Sequence, residues 1–191
     1  MLPLILASSS PARKALLEKL QIPFQTVSPD IDETPLSHEK PKDLALRLAI
    51  EKASAVKKKY PEALIIGADQ VIMCGKTRLD KPGTVENAIA QLTLVSGKSI
   101  EAYTGLCLLN TKTGKCHSTV STYQVYFRQL SPKIIESYIQ RDNPLHCAGS
   151  IKAESLGITL FTKMQGDDFT SLPGLPLIAL TDFLLTEGFT L

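Results

Sequence analysis

The chain lacks any pair of cysteines at Cys-x-x-Cys spacing. Its four cysteines, Cys74, Cys107, Cys116 and Cys147, are scattered, and no histidine stands at zinc-ligand distance from one. They supply no metal frame and are expected to be reduced packing residues. The three histidines, His38, His117 and His146, fall in unrelated segments and read as surface or packing residues. No apolar run approaches the roughly 18 residues that a membrane span needs. The start, MLPLILASSS, has too short an apolar stretch for a secretory signal and no basic leader. The expectation is a soluble, cytoplasmic protein. An excess of one charge is also missing. The formal net charge is +2 with 21% charged residues, without the clustered basic surface of a nucleic-acid binder. The one basic run, Lys57-Lys58-Lys59, suits a helix end facing solvent. Neither a nucleic-acid polymer nor a membrane is expected as partner. There is no repeat, low-complexity tract or Gly/Ser linker. Walker A, kinase Gly-rich and Gly-x-Ser-x-Gly patterns are all absent, which disfavours P-loop enzymes and α/β-hydrolases.

What is present suits one domain over residues 1–191, or one domain with two lobes. The 191 residues, 43% of them hydrophobic, suffice for a core without a staple. Strand and helix patterns alternate. Leu2 to Ala7 is an apolar run expected for a strand buried on both faces. Ser10-Pro11 then opens a helix whose inner face carries Leu16, Leu17 and Leu20. Phe24 to Val27 reads as a short strand, and Ser28 to Pro35 as an acidic loop. A long helix is expected from about Pro41 to Lys59, with Leu44, Leu48 and Ala55 as its apolar stripe. Ala63 to Cys74 reads as a central strand broken by Gly67 and Asp69. A helix follows from Val85 to Val95, then long strands from Ser99 to Asn110 and from Lys115 to Leu130. A helix from Pro132 to about Gln140 and another from Leu175 to Thr186 complete the pattern. The predicted architecture is α/β: a mixed twisted sheet flanked by helices, with ligands favoured at the carboxyl ends of strands.

Polar groups interrupt this pattern at suggestive places. Ser8, Ser9 and Ser10 follow the first strand, and Arg13 lies in the first helical turn. Lys52 falls on an apolar helix stripe, where it either snorkels outward or points into a site. Asp69 is either a turn residue or a catalytic or metal-binding carboxylate at a strand end. Lys81 sits in a loop fixed by Pro82. Helix-start N–H groups, Arg13, Lys52 and Lys81 suit phosphate oxygens. Carboxylates at Glu33 and Asp69 would repel phosphate unless Mg²⁺ or Mn²⁺ bridges the two. The composition is that of a metal–nucleotide site.

The motifs LASSSPARKALL, SPDIDET, GADQV, DKPG, TGL, AGSIKAE and GLPL, in this order, resemble those of the Maf family of nucleotide pyrophosphatases. The resemblance implies two lobes around a deep cleft, often in a homodimer. It also implies metal-dependent hydrolysis of a nucleoside triphosphate to the monophosphate and pyrophosphate. Under it, Asp69 is the base that activates water and touches the metal, and Glu33 is a metal or water partner. Arg13, Lys52 and Lys81 stabilise phosphate charge, while Ser8 and Ser9 bind substrate. GADQ with LHCAGSIKAE is most similar to the 7-methyl-GTP pyrophosphatase branch, which assigns base specificity to Ala12, Gln70 and Glu154. Glu154 would accept the N–H donors of guanine, and Gln70 would either donate to O6 or accept from an amine. Ala12 stands where relatives carry a bulkier or basic residue, Asp80 replaces a glycine, and Ile151 and Ser155 alter the stretch around Glu154. The alternatives are a dTTP/UTP pyrophosphatase and, outside enzymes, a nucleotide-binding regulator of division or septum formation.

Overall fold

A computed structural model describes residues 2–190. The element order is β1 (Leu4–Ala7), α1 (Pro11–Glu18), β2 (Phe24–Val27), α2 (Pro41–Ala55), β3 (Leu64–Cys74), β4 (Thr77–Arg78), α3 (Val85–Val95), β5 (Ser99–Asn110), β6 (Cys116–Phe127), α4 (Pro132–Asp142), β7 (Phe161–Gln165) and α5 (Leu177–Thr186). The strands form one seven-stranded sheet in the order β2-β1-β3-β5-β6-β7, with β4 on β3. β1 is parallel to both β2 and β3, whereas β4 on β3 and β7 on β6 are antiparallel. The fold is therefore the expected mixed α/β. Among the described residues no helix is long and apolar enough to cross a membrane.

The chain divides into two compact units, residues 1–70, 103–121 and 168–191 in the first, and 71–102 and 122–167 in the second. In the first unit the two-residue period of the strands sorts side chains onto two faces. Leu4, Leu6, Leu64, Ile66, Ala68, Leu106 and Leu108 pack with Leu16 and Leu17 of α1 and Leu177, Leu180 and Leu184 of α5. Their neighbours Ile5, Ala7, Ala63, Ile65 and Cys107 pack with Ala49 and Ala53 of α2. The α2 face is built for close approach. A Cβ on Gly67 would overlap the carbonyl oxygen of Ala49, and one on Gly105 would overlap that of Ala45. Small residues on both partners let the helix backbone rest directly on the strands.

In the second unit α3 is capped by Thr84, whose hydroxyl accepts from Asn87 N at 3.2 Å. Ser131 caps α4, which ends at Asn143 in the left-handed conformation (φ 46°).

Several expectations need correction. The central strand is unbroken through Gly67 and Asp69, because helix contact and an ion pair offset their poor strand propensity. α2 stops at Ala55, and Lys57–Lys59 form a separate exposed turn. The α2 stripe is Leu44, Ala45, Leu48, Ala49, Lys52 and Ala53, while Ala55 is exposed. α5 starts at Leu177 and β6 spans Cys116–Phe127. All four cysteines are free; Cys74 and Cys107 are buried, but Cys116 is exposed rather than packed.

Gly67→Ala should push α2 off β3 and cost about 3 kcal/mol, the upper end for overpacked cores. Urea unfolding of the variant against the parent measures this.

Candidate active site

The last residue of β1, Ala7, pairs with Gly67, so β3 runs on past the carboxyl end of β1 and carries Asp69 and Gln70 there. Asp69 continues the odd-numbered set of β3 that faces α2, and Lys52 arrives from that helix beside Ala53. Lys52 Nζ stands 2.5 Å from Asp69 Oδ1 and 2.7 Å from Glu33 Oε1. The lysine side chain is 8% exposed and that of Asp69 11%. The two readings of Lys52 are thereby resolved: it does not snorkel out but joins two carboxylates. Two ions this deep are tolerable because each compensates the other. Asp69 Oδ2 accepts no hydrogen bond among the described residues. The only sealed, unpartnered side-chain oxygen or nitrogen among those residues is Asp142 Oδ2, so Asp69 Oδ2 stays open to water.

Arg13 joins this group from α1. Ser10 Oγ accepts from Arg13 N at 3.4 Å, and Ser8 Oγ from Ser10 N at 3.1 Å, so the serines shape the turn that leads into the helix. Arg13 Nε donates to Gly174 O at 2.9 Å, which aims the guanidinium and leaves its terminal nitrogens without an acceptor among the described residues. Burial lowers the Arg13 pKa, while the charges of Asp69 and Glu33 oppose that shift. Ser8 is buried, Ser9 exposed, and Ala12 half-buried.

The acidic loop is tied to the helix that carries Lys52. Arg47 Nε and Nη2 donate to Glu39 Oε1 and Oε2 at 2.6 and 2.8 Å, and Nη2 also reaches Thr34 O at 3.1 Å. Thr34 N in turn donates to Asp32 Oδ1 at 2.9 Å. Glu33 therefore sits between two fastened residues. The sequence reading missed this clamp because Arg47 and Glu39 look like ordinary helix-surface charges.

Gln70 points to the opposite face from Asp69. Its Nε2 lies 2.7 Å from Leu172 O, 3.0 Å from Ser171 O and 3.1 Å from Thr104 Oγ1. Thr104, from the TGL stretch, is fully buried and donates to Ser171 O at 2.8 Å. Thr104, Ser171 and Leu172 are site partners that sequence reasoning did not single out, although TGL was visible as a motif.

The remaining expected residues lie in the second unit. Lys81 and Glu154 are exposed. Asp80 is held by Arg78, with Oδ1 2.9 Å from Nε and Oδ2 3.1 Å from Nη2. Lys152 reaches Asp142 O at 2.9 Å, and Ser155 Oγ donates to Asp142 Oδ1 at 2.7 Å. Tyr138 OH donates to Ser150 O and accepts from Lys152 N, both at 3.1 Å. The stretch that carries Glu154 is thus fixed at both ends to α4, with Gly149 and Ser150 in successive left-handed conformations.

Among the described residues no group of three or more His, Cys, Asp or Glu side chains could hold a metal. The two carboxylates at Asp69 and Glu33 are hard oxygen donors. That set fits a magnesium-like ion that draws its other ligands from substrate and water.

Hydrogen bonds from Arg47 lower the Glu39 pKa from the ordinary 4.5 to about 2. The lower value belongs to the folded state, so the pair stabilises above about pH 4.5 and that contribution vanishes as acid approaches pH 2. Glu39→Gln should be less stable at pH 6 and show a flatter loss of stability across that window, as read by urea unfolding at successive pH values.

The whole chain can be set beside known proteins. Residues 3–187 match the family described as Maf-like protein. A Nitrosococcus oceani protein named 7-methyl-GTP pyrophosphatase is 50% identical over 186 residues, 97% of this chain and 94% of that one. A Colwellia psychrerythraea protein of the same name is 50% identical over 185 residues, 97% of this chain and 92% of its own. The matched stretch contains every charged group gathered around Lys52, and the chain belongs to the Maf-like family.

Proposed function

We propose that the protein is a nucleoside triphosphate pyrophosphatase acting on 7-methyl-GTP. The observation that carries this reading is the set of Lys52, Asp69, Glu33 and Arg13 past the carboxyl end of β1. The names of two relatives at 50% identity support the substrate.

The chemistry adds water across the anhydride between the α- and β-phosphates, releasing the monophosphate and pyrophosphate. Asp69 Oδ2 takes the proton from the attacking water while Oδ1 stays on Lys52, which holds the carboxylate in one rotamer. The terminal nitrogens of Arg13 receive phosphate oxygens in a two-pronged contact. Ser8 and Ser9, in the turn before α1, add polar contacts to the same end of the substrate.

The two cations and two carboxylates of this set cancel formally, so a polyanionic tail needs further positive charge. A divalent ion, Mg²⁺ or Mn²⁺, held by Asp69 and Glu33, would supply it and would polarise a phosphoryl oxygen when bound. Lys81 is assigned to the same charge stabilisation, and Ala12, Gln70 and Glu154 to the base. Those assignments rest on the family motifs. Free cysteines and a nucleotide substrate favour the cytoplasm as the place of action.

Purified protein with Mg²⁺ or Mn²⁺ should release pyrophosphate from 7-methyl-GTP faster than from dTTP or UTP, and a chelator should abolish release until the ion is restored. Preference for the pyrimidine nucleotides would overturn the substrate. Asp69→Asn should lose on the order of 10²–10⁴ in rate while its circular dichroism stays that of the parent; unchanged turnover would remove Asp69 from the mechanism.

A further inference from the structure

The surroundings of Gln70 fix more than its position. Its terminal nitrogen has three neighbours, the carbonyls of Ser171 and Leu172 and the hydroxyl of Thr104. Carbonyl oxygens only accept. The Thr104 hydroxyl has one proton, directed to Ser171 O at 2.8 Å, so towards Gln70 it too only accepts. A flipped amide would set its oxygen against two carbonyl oxygens that can only accept. The usual ambiguity of a glutamine side chain is therefore absent here, and the NH₂ group must face inward.

The other end of the amide is then defined. Gln70 Oε1 accepts no hydrogen bond among the described residues. It is not sealed either, because Asp142 Oδ2 is the only buried side-chain polar atom left unpartnered among them. Gln70 is half-buried, with its oxygen as the open end.

We propose that the Ser171 and Leu172 carbonyls, with Thr104 as the positioning residue that bridges Ser171 O and Gln70, lock Gln70 as an acceptor, so that the site reads a hydrogen-bond donor on the base. This inference rests on Gln70 facing the base, part of the reading above. It removes one of the two options left by the sequence: Gln70 does not donate to a ring carbonyl but accepts from an N–H. The guanine edge offers such donors in the two N–H bonds of its 2-amino group. A 7-methyl group places positive charge on the ring and strengthens them. A base with only a carbonyl or an unprotonated ring nitrogen at that point would meet acceptor with acceptor. Thr104 itself is fully buried and acts through Gln70, without touching the substrate.

The experiment compares 7-methyl-GTP with 7-methyl-ITP, which lacks only the 2-amino group, in the parent, Thr104→Val and Thr104→Ser. The parent should favour 7-methyl-GTP in kcat/KM by about tenfold, since an acceptor left unpaired when the base covers it costs on the order of that factor. Thr104→Val should lose about threefold of that preference, through KM for 7-methyl-GTP, and Thr104→Ser should restore it. Side-chain amide exchange in ¹⁵N spectra gives a second readout. The Gln70 NH₂ protons should be protected in the parent and Thr104→Ser, and less protected in Thr104→Val, which keeps the bonds to Leu172 O and Ser171 O but loses the third. Equal use of both nucleotides by the parent would overturn the inference, as would full preference in a folded Thr104→Val. If Thr104→Val does not fold, the nucleotide comparison and the amide exchange in the parent decide. A parent that turns over pyrimidine triphosphates and neither purine sinks the substrate reading instead; Gln70 protons exchanging as fast as those of free glutamine would then also sink this one.

Discussion

The structure of the first unit depends on a buried ammonium. Lys52 occupies a position on α2 that the sheet would otherwise fill with an apolar side chain. Moved from water without a partner, such a charge costs several kcal/mol. It is held because Asp69 from β3 and Glu33 from the acidic loop both reach it. Each of the three comes from a different segment, so this one contact sets how α2 lies along β3 and where the loop returns. The alanines of α2 and the glycines of β3 and β5 make the approach close enough for the charges to meet.

The alternation of the strands then divides the labour between neighbours. Asp69 and Gln70 are adjacent in sequence and face opposite ways. The carboxylate belongs to the α2 side with Lys52, and the amide belongs to the side of α1 and α5 with Thr104. Because β1 ends opposite Gly67, both emerge where the strand beside them has stopped. A one-residue step thus supplies a charged group on one face and a neutral amide on the other from a single strand, with no loop needed to carry either.

Much of this was legible in the sequence, for definite reasons. β2, α3 and β5 have the bounds read from their turn residues and alternation. Lys52 stood out because helical spacing put a charge on an apolar stripe. Asp69 was legible as a candidate but not as part of a continuous strand, since local propensity counts glycine and aspartate as breakers and knows nothing of the helix above them. The Arg47 clamp, the Asp142 anchor and Thr104 were not legible. A charged residue on a helix surface or a threonine in a strand is ordinary until its partner 13 or 67 residues away is placed beside it. The irregular stretch around residues 148–160, with its successive left-handed residues, has no period for a sequence reading to follow.

The segment before the last helix joins these parts in a further way. Asp168 accepts from Thr170 N and Oγ1 through one oxygen and from Ile178 N, at the start of α5, through the other. Between those two ends lie Ser171 and Leu172, which hold Gln70, and Gly174, which holds Arg13. The carboxy-terminal helix is consequently a splint for two groups that hydrogen-bond to the segment before it. Loosening the packing of Leu180 and Leu184 would therefore register at Gln70 and Arg13 together.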